Sequence, residues 1–283
     1  MPIKTPIITE IAYRTWCINE FGMDTMFLLA GEERALLIDC GTGLFDLPAL
    51  VSSLTDKPLT VALTHGHVDH AGGAFQFPQV HLHPDDIPML STLTDEARRG
   101  YAAALLAQCG GLFAVTAEDV LPSRGHTDWL PLREGETIEL GNRPVAVYET
   151  PGHTPGGLSF LDRRERIIFT GDACNMNTLM ALGGVGGGND RPKSSIRDLL
   201  ATARKIEALH PHYDRNYNGH VGYAAMVDAR PMPESLTRDA IELCEGLLSG
   251  RVVGQRVENP FSGPCLLARN RTMQIQYSPE QVR

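Results

Sequence analysis

The chain forms no CxxC pair. Its six cysteines, Cys17, Cys40, Cys109, Cys174, Cys244 and Cys265, are scattered through 283 residues, so free thiols in a reducing cytoplasm are the simpler account. No apolar run approaches the roughly 20 residues a membrane-spanning helix needs. Met1-Pro2-Ile3-Lys4-Thr5-Pro6 also lacks a basic segment followed by an apolar core. A cytoplasmic protein with no membrane partner is expected. Positive charge is scarce: 25 Lys and Arg stand against 34 Asp and Glu, a net charge of −9. That balance argues against a non-specific nucleic-acid binder, and no nucleic-acid partner is expected. The glycine-rich stretch 182–189 lacks the Lys-Ser/Thr of a phosphate-binding loop and reads as a flexible loop. No composition shift marks a linker, so residues 1–283 read as a single domain.

What the chain does have is a dense group of ligand-type side chains. Thr64-His65-Gly66-His67-Val68-Asp69-His70 follows the apolar run Leu59–Leu63, which reads as a strand ending in a ligand-rich loop. His65 and His67, two apart on extended backbone, point the same way. Asp69 and His70 follow as the chain turns, so the four need not serve one ion. Three further candidates sit at the ends of predicted strands or in turns: His153 in a Pro-Gly-His-Thr-Pro-Gly turn, Asp172 after an apolar strand, and His220 after Asn-Gly.

The rest of the pattern alternates. Strands are predicted over 7–18, 24–29 and 34–40, and a helix over 44–54. Helical spacing runs from Pro84 to Gln108, and an irregular stretch over 112–127. A second β-rich series is read from Trp129, giving each half a meander that ends in a ligand-bearing loop. A helix capped at Ser194 or Ser195, another over 234–248 and a terminal hairpin around Asn270-Arg271 complete the prediction.

With these motifs in this order, residues 24–222 resemble the metallo-β-lactamase superfamily of metal-dependent hydrolases, in particular its hydroxyacylglutathione hydrolase-like branch. The match lies in the HxHxDH motif from His65 to His70 and in the later His153, Asp172 and His220. Asp39 matches the early aspartate that buttresses the site. The resemblance implies an α+β fold, a four-layer αββα sandwich with the site along one edge of its sheets. It further implies that His65, His67 and His153 hold one metal and Asp69, His70 and His220 a second, with Asp172 bridging. This donor set suits two Zn²⁺, and Fe or Mn is also admitted. Histidine at position 67, where the oxygen-reducing diiron branch carries glutamate, argues for hydrolysis.

The implied chemistry is attack by a metal-bridging hydroxide on a small ester, thioester, lactone or phosphoester. Asp69 would orient the nucleophile or shuttle its proton. The alternative is a mononuclear iron oxidoreductase resembling the persulfide dioxygenases, using His65, His153 and Asp172. Asn175 occupies the position where quorum-sensing lactonases of the superfamily carry a tyrosine. Asn175, Tyr223 and His126 are candidate substrate contacts, Cys174 reads as a packing residue, and His81 and His83 read as structural. The partner expected is a small-molecule substrate. Oligomeric state is left open: the helices at 44–54 and 234–248 would each pack internally or across a dimer.

Overall fold

The computed structural model describes residues 1–179, 194–220, 227–259 and 263–282. Seven strands form the first sheet in chain order: β1 Ile7–Ala12, β2 Thr15–Glu20, β3 Asp24–Ala30, β4 Ala35–Ile38, β5 Leu59–Ala62, β6 Gln79–Leu82 and β7 Asp128–Pro131. The first four pair antiparallel; β4 to β7 pair parallel. The second sheet has the order β13-β11-β10-β9-β8, built from β8 Thr137–Glu139, β9 Pro144–Glu149, β10 Leu158–Asp162, β11 Ile167–Gly171 and β13 Arg215–Asn218. A third, smaller sheet joins β12 Asn177–Leu179 to β16 Gln274–Tyr277, β15 Gly263–Arg269 and β14 Gln255–Asn259.

The two large sheets face each other across one apolar layer. Phe27, Leu29, Leu36 and Ile38 of the first meet Val147, Phe160, Ile167 and Phe169 of the second, all buried. The alternate residues of β3, Met26, Leu28 and Ala30, point outward into a second layer closed by α1 Leu47–Leu54 and α2 Val68–Ala71. Burial on both faces is why β3 and β4 read as continuous apolar runs rather than alternating ones. On the far side, α4 Ile196–Ala208, α5 Leu236–Leu248 and the third sheet pack on Leu161 and Ile168. The result is the αββα sandwich that the motifs imply. Arg143, buried between β8 and β9, ties the sheets together. It donates to Asp162 at 2.9 and 2.6 Å and to the carbonyls of Arg14 and Ala30 at 3.1 and 3.0 Å.

Several elements differ from the sequence expectation. Residues 7–18 are not one strand: the chain turns at Tyr13-Arg14, with Arg14 at φ 49°, and β2 runs back along β1. Residues 128–131 do not begin the second sheet but pair with β6 and close the first. The helical stretch from Pro84 is a 3₁₀ segment, Pro84–Thr92, carrying Pro88 inside it, followed by α3 Asp95–Leu106 capped by Thr94. A proline at that position removes a ladder hydrogen bond and explains the break. Ser195 does cap α4, through a reciprocal pair with Asp198. The glycine-rich stretch 182–189 lies outside the described residues. No helix among the described residues is long and apolar enough to cross a membrane.

Candidate metal centre

The ligand-type side chains come from loops that follow β5, β9, β11 and β13. Past β5 the backbone stays extended through His67, which caps α2 with φ −73° and ψ 160°. The turn of α2 then presents Asp69 and His70. His153 lies four residues past β9, Asp172 directly past β11, and His220 two residues past β13. Gly219 is required beside His220: a Cβ there would come within 2.3 Å of His70 Cε1 and 2.9 Å of Asp172 Oδ1.

These loops bring seven side chains together. His67 Nδ1 lies 3.1 Å from His65 Nε2 and 2.8 Å from His153 Nε2. On the other side, Asp69 Oδ2 lies 3.6 Å from His70 Nε2 and 3.5 Å from His220 Nε2. Asp172 stands between the groups. Its Oδ2 is 3.2 Å from His220 Nε2 and 3.7 Å from His153 Nε2, and its Oδ1 is 3.8 Å from His70 Nε2. Three overlapping trios have all their donor atoms within 4.8 Å of one another: His65, His67 and His153; His65, His70 and Asp172; Asp69, His70 and His220.

The outward sides of His65, His70 and His220 are held. Asp39 accepts from the Thr64 N–H at 2.7 Å, from the Thr64 hydroxyl at 2.8 Å and from His70 Nδ1 at 2.9 Å. The Thr64 oxygen in turn lies 3.0 Å from His65 Nδ1, and His220 Nδ1 donates to the Met23 carbonyl at 2.7 Å. Such contacts fix the tautomer and leave Nε2 of His65, His70 and His220 facing inward. Asp39 does this from a left-handed conformation, φ 65°, which aspartate tolerates better than most residues.

The electrostatics divide the rings. Burial, reinforced by neighbouring imidazoles, holds His65 well below its usual value and His67 down at about 3, so both are neutral donors. Burial also opposes charge on His70 and His220, but nearby carboxylates outweigh it. Asp69 and Asp39 push His70 up to about 10, and Asp172 and Asp69 raise His220. Those same rings overcome burial to hold Asp172 well below the carboxylate range. Protons on His70 and His220 thus supply positive charge beside two carboxylates. Among the described residues His70 Nε2 and Asp172 Oδ1 are buried with no hydrogen-bond partner, and a cation would satisfy both. The donor set of imidazoles and carboxylates fits a divalent transition metal.

Residues 20–213 match the sequence profile of the metallo-beta-lactamase superfamily. The chain belongs to that superfamily. Among curated relatives, it is 30% identical to the acyl-coenzyme A thioesterase MBLAC2 of Bos taurus over 206 residues, which cover 65% of this chain and 67% of the relative. It is 28% identical to the hydroxyacylglutathione hydrolase GloC of Haemophilus influenzae over 66% of this chain and 80% of that protein. A metallo-beta-lactamase from Pontibacter korlensis shares the fold with a TM-score of 0.55 at 17% identity, over 85% of this chain and 99% of that one. The protein is a metallo-beta-lactamase superfamily hydrolase.

Among the described residues, the remaining candidates Asn175 and His126 have their partners away from the cluster. Asn175 is buried, and its side-chain oxygen accepts from the Asn177 N–H at 3.0 Å at the start of β12. His126 is exposed and lies 3.0 Å from Asp128. Tyr223 lies outside the described residues. Cys174 packs in the apolar layer under α4 and α5, and burial pushes its thiol up to about 12. His83 pairs with Glu149 at 3.0 Å. His81 Nδ1 is buried without a hydrogen-bond partner among the described residues.

Three further features of this superfamily member carry no ligand motif. Tyr101 on α3 donates to Asp69 Oδ2 at 2.7 Å. Asp86, in the 3₁₀ segment past β6, accepts from two of the ligand-bearing loops. Its place beyond the end of a parallel strand, like that of His65, is the one sequence signal pointing to it. The third is a buried acid pair. Glu20 accepts from the N–H groups of Thr42, Gly43 and Leu44 at 2.6, 3.2 and 2.9 Å. Both Asp24 oxygens are buried beside it with no other donor among the described residues. Burial, then the neighbouring Glu20, hold Asp24 well above the usual carboxylate value, so it keeps a proton and donates it to Glu20.

A raised carboxyl costs the folded state stability as pH climbs past the unfolded value. An amide donates the same hydrogen bond without that loss. Asp24→Asn should therefore raise Tm at pH 8 by a few degrees, from about 1–3 kcal/mol, and the gap should shrink towards pH 4. Thermal melts at both pH values check it; a gap that widens on acidification would contradict the assignment.

Proposed function

We propose that the protein is a dinuclear, zinc-dependent hydrolase of small thioesters, working as a single domain in the cytoplasm. The position of Asp172 carries this reading, because its Oδ2 lies between His153 of one group and His220 of the other, with Oδ1 towards His70. His65, His67 and His153 would hold one ion and Asp69, His70 and His220 the other, with Asp172 shared and Asp39 holding His70 in register. Bound divalent metal lowers the pKa of water from about 15.7 towards 7 and polarises a substrate carbonyl. Around it, Asp69 would orient the attacking water and take up its proton. The buried loops past β5 and β11 would exclude bulk solvent from this side of the reacting group. Thioesters are favoured over lactones and phosphoesters because the acyl-coenzyme A thioesterase and the hydroxyacylglutathione hydrolase both act on them by name.

The test is metal analysis followed by a panel of thioesters, esters, lactones and phosphodiesters. Chelation should abolish thioester cleavage, and zinc should restore it at two equivalents per chain. One iron per chain with sulfur-dependent oxygen uptake would instead establish the oxygenase alternative. The pH dependence has a definite sign. Below about 10 the ion must displace a proton from His70, and the raised His220 adds to this. Zinc affinity should therefore rise at least about tenfold per pH unit between pH 6 and 8. Competition with a chromophoric chelator measures it, and a flat profile would contradict the protonation pattern.

A further inference from the structure

Asp69 sits on a helix of only four residues, too short to fix its own side-chain direction through neighbouring turns. Its position is set from elsewhere. Among the described residues its hydrogen-bond donor is the Tyr101 hydroxyl, 2.7 Å from Oδ2. That oxygen is also the one nearest His70 Nε2 and His220 Nε2, at 3.6 and 3.5 Å. One lone pair of Oδ2 is thus taken by the phenol, leaving the other directed at the two rings. A phenol donating to a carboxylate also draws off part of its charge, which tunes what that oxygen offers to a cation.

Tyr101 is itself held. It lies one turn along α3 from Arg98, whose side chain is fully buried. The guanidinium donates to the carbonyls of Thr42 and Leu121 at 3.3 and 2.8 Å, to Asp95 at 2.6 Å and to Ser123 at 2.8 Å. It also stacks 4.7 Å from the Phe75 ring. This cage fixes α3 against the loop past β4, Phe75 just beyond α2 and the stretch before β7, so the phenol cannot follow Asp69 if the carboxylate turns away. Arg98 and Tyr101, at i and i+3, make one rigid face.

We infer that Tyr101 is the positioning residue of the second metal position, the one formed by Asp69, His70 and His220, and that it leaves the position formed by His65, His67 and His153 untouched. The inference rests on the dinuclear reading above. Outer partners of metal-binding carboxylates are worth about 10–100-fold in metal affinity, so Tyr101→Phe should weaken one zinc equivalent by that factor and leave the other at its wild-type affinity. Leu105→Ala is the companion variant. Leu105 is buried on the same helix among Phe21, Leu44 and Phe113, outside the contacts of the Arg98 cage, so its truncation costs stability while the cage and the hydroxyl stay in place.

The experiment is zinc titration of chelator-stripped full-length wild type, Tyr101→Phe and Leu105→Ala against a chromophoric competitor, with a thermal melt of each apo form. Selective weakening of one equivalent in Tyr101→Phe, with Leu105→Ala losing Tm but keeping both affinities, supports the inference. Unchanged binding in Tyr101→Phe overturns it, as does equal weakening of both equivalents or the same selective loss in Leu105→Ala. Wild type binding two equivalents while Tyr101→Phe does the same sinks only the role of Tyr101. Wild type binding one equivalent sinks the dinuclear reading and this inference with it.

Discussion

Asp172→Ala is expected to bind one zinc per chain where the wild type binds two, and to lose about a thousandfold or more in kcat, roughly 4 kcal/mol of barrier. The expectation follows from where the carboxylate stands. It is the carboxylate that lies between the two sides of the cluster, 3.2 Å from His220, 3.7 Å from His153 and 3.8 Å from His70. Neighbouring rings hold it ionised despite burial. Removing it strips the shared negative charge that balances those rings. It also leaves His70 with one fewer carboxylate to sustain its charge. Asp172→Asn separates shape from charge: the amide fills the same space but cannot act as an anionic ligand, so it should resemble Asp172→Ala in activity and differ in Tm. Because Asp172 is depressed, its stabilising effect on the apo protein is present above the unfolded carboxylate value of about 3.9 and fades as pH falls through its folded value. The Tm difference between wild type and variant should accordingly narrow on acidification. Full kcat from a protein carrying a single metal would refute the shared role.

How much of this was readable from the chain depends on how local each signal is. His65, His67, Asp69 and His70 were legible because their spacing, on an extended segment followed by a turn, is itself the geometry that brings them together. His153, Asp172 and His220 were legible one at a time, each preceded by Gly in a turn or at a strand end, and only their common location needed the fold. Pairing between distant segments left no such mark. Strand β7 joins the first sheet through parallel contacts with β6, 46 or more residues after β6 ends in chain order, and nothing in Asp128-Trp129-Leu130-Pro131 names that partner. β12 is three residues long and is held by β16, nearly a hundred positions away, so it carries no period to detect. The hairpin at Tyr13-Arg14 was missed because its turn uses a positive φ at arginine rather than the glycine or asparagine that usually announces one. Tyr101 and Asp86 lie in the excursion between β6 and β7, where helical spacing and proline give a local reading; apart from Asp86's place beyond a parallel strand, nothing there hints that either side chain turns back to the metal loops.

Asp86 is where that blind spot has its largest consequence. Its carboxylate is buried and accepts from the Gly66 N–H at 3.0 Å, the Thr154 hydroxyl at 2.7 Å and the Gly156 N–H at 2.7 Å. Gly66 separates His65 from His67, and Thr154 follows His153, so one carboxylate clasps both loops that present the all-histidine group. Gly156 is glycine for the same reason, since a Cβ there would lie 2.7 Å from Asp86 Oδ1. Asp86→Ala leaves three buried donors unpaired, each costing about 1–3 kcal/mol, and frees the two loops to drift apart. The expected result is a Tm lower by several degrees and zinc affinity at His65, His67 and His153 reduced about 10–100-fold. Asp86→Asn should fall between. Its amide oxygen can replace Oδ2 towards Gly66 and Thr154, while its NH₂ then opposes the Gly156 N–H and loses that bond. The order wild type, Asn, Ala in affinity for the first zinc, read by chelator competition, is the signature of a clasp. Equal affinities in all three would show that the loops hold their own geometry and that Asp86 contributes to stability alone.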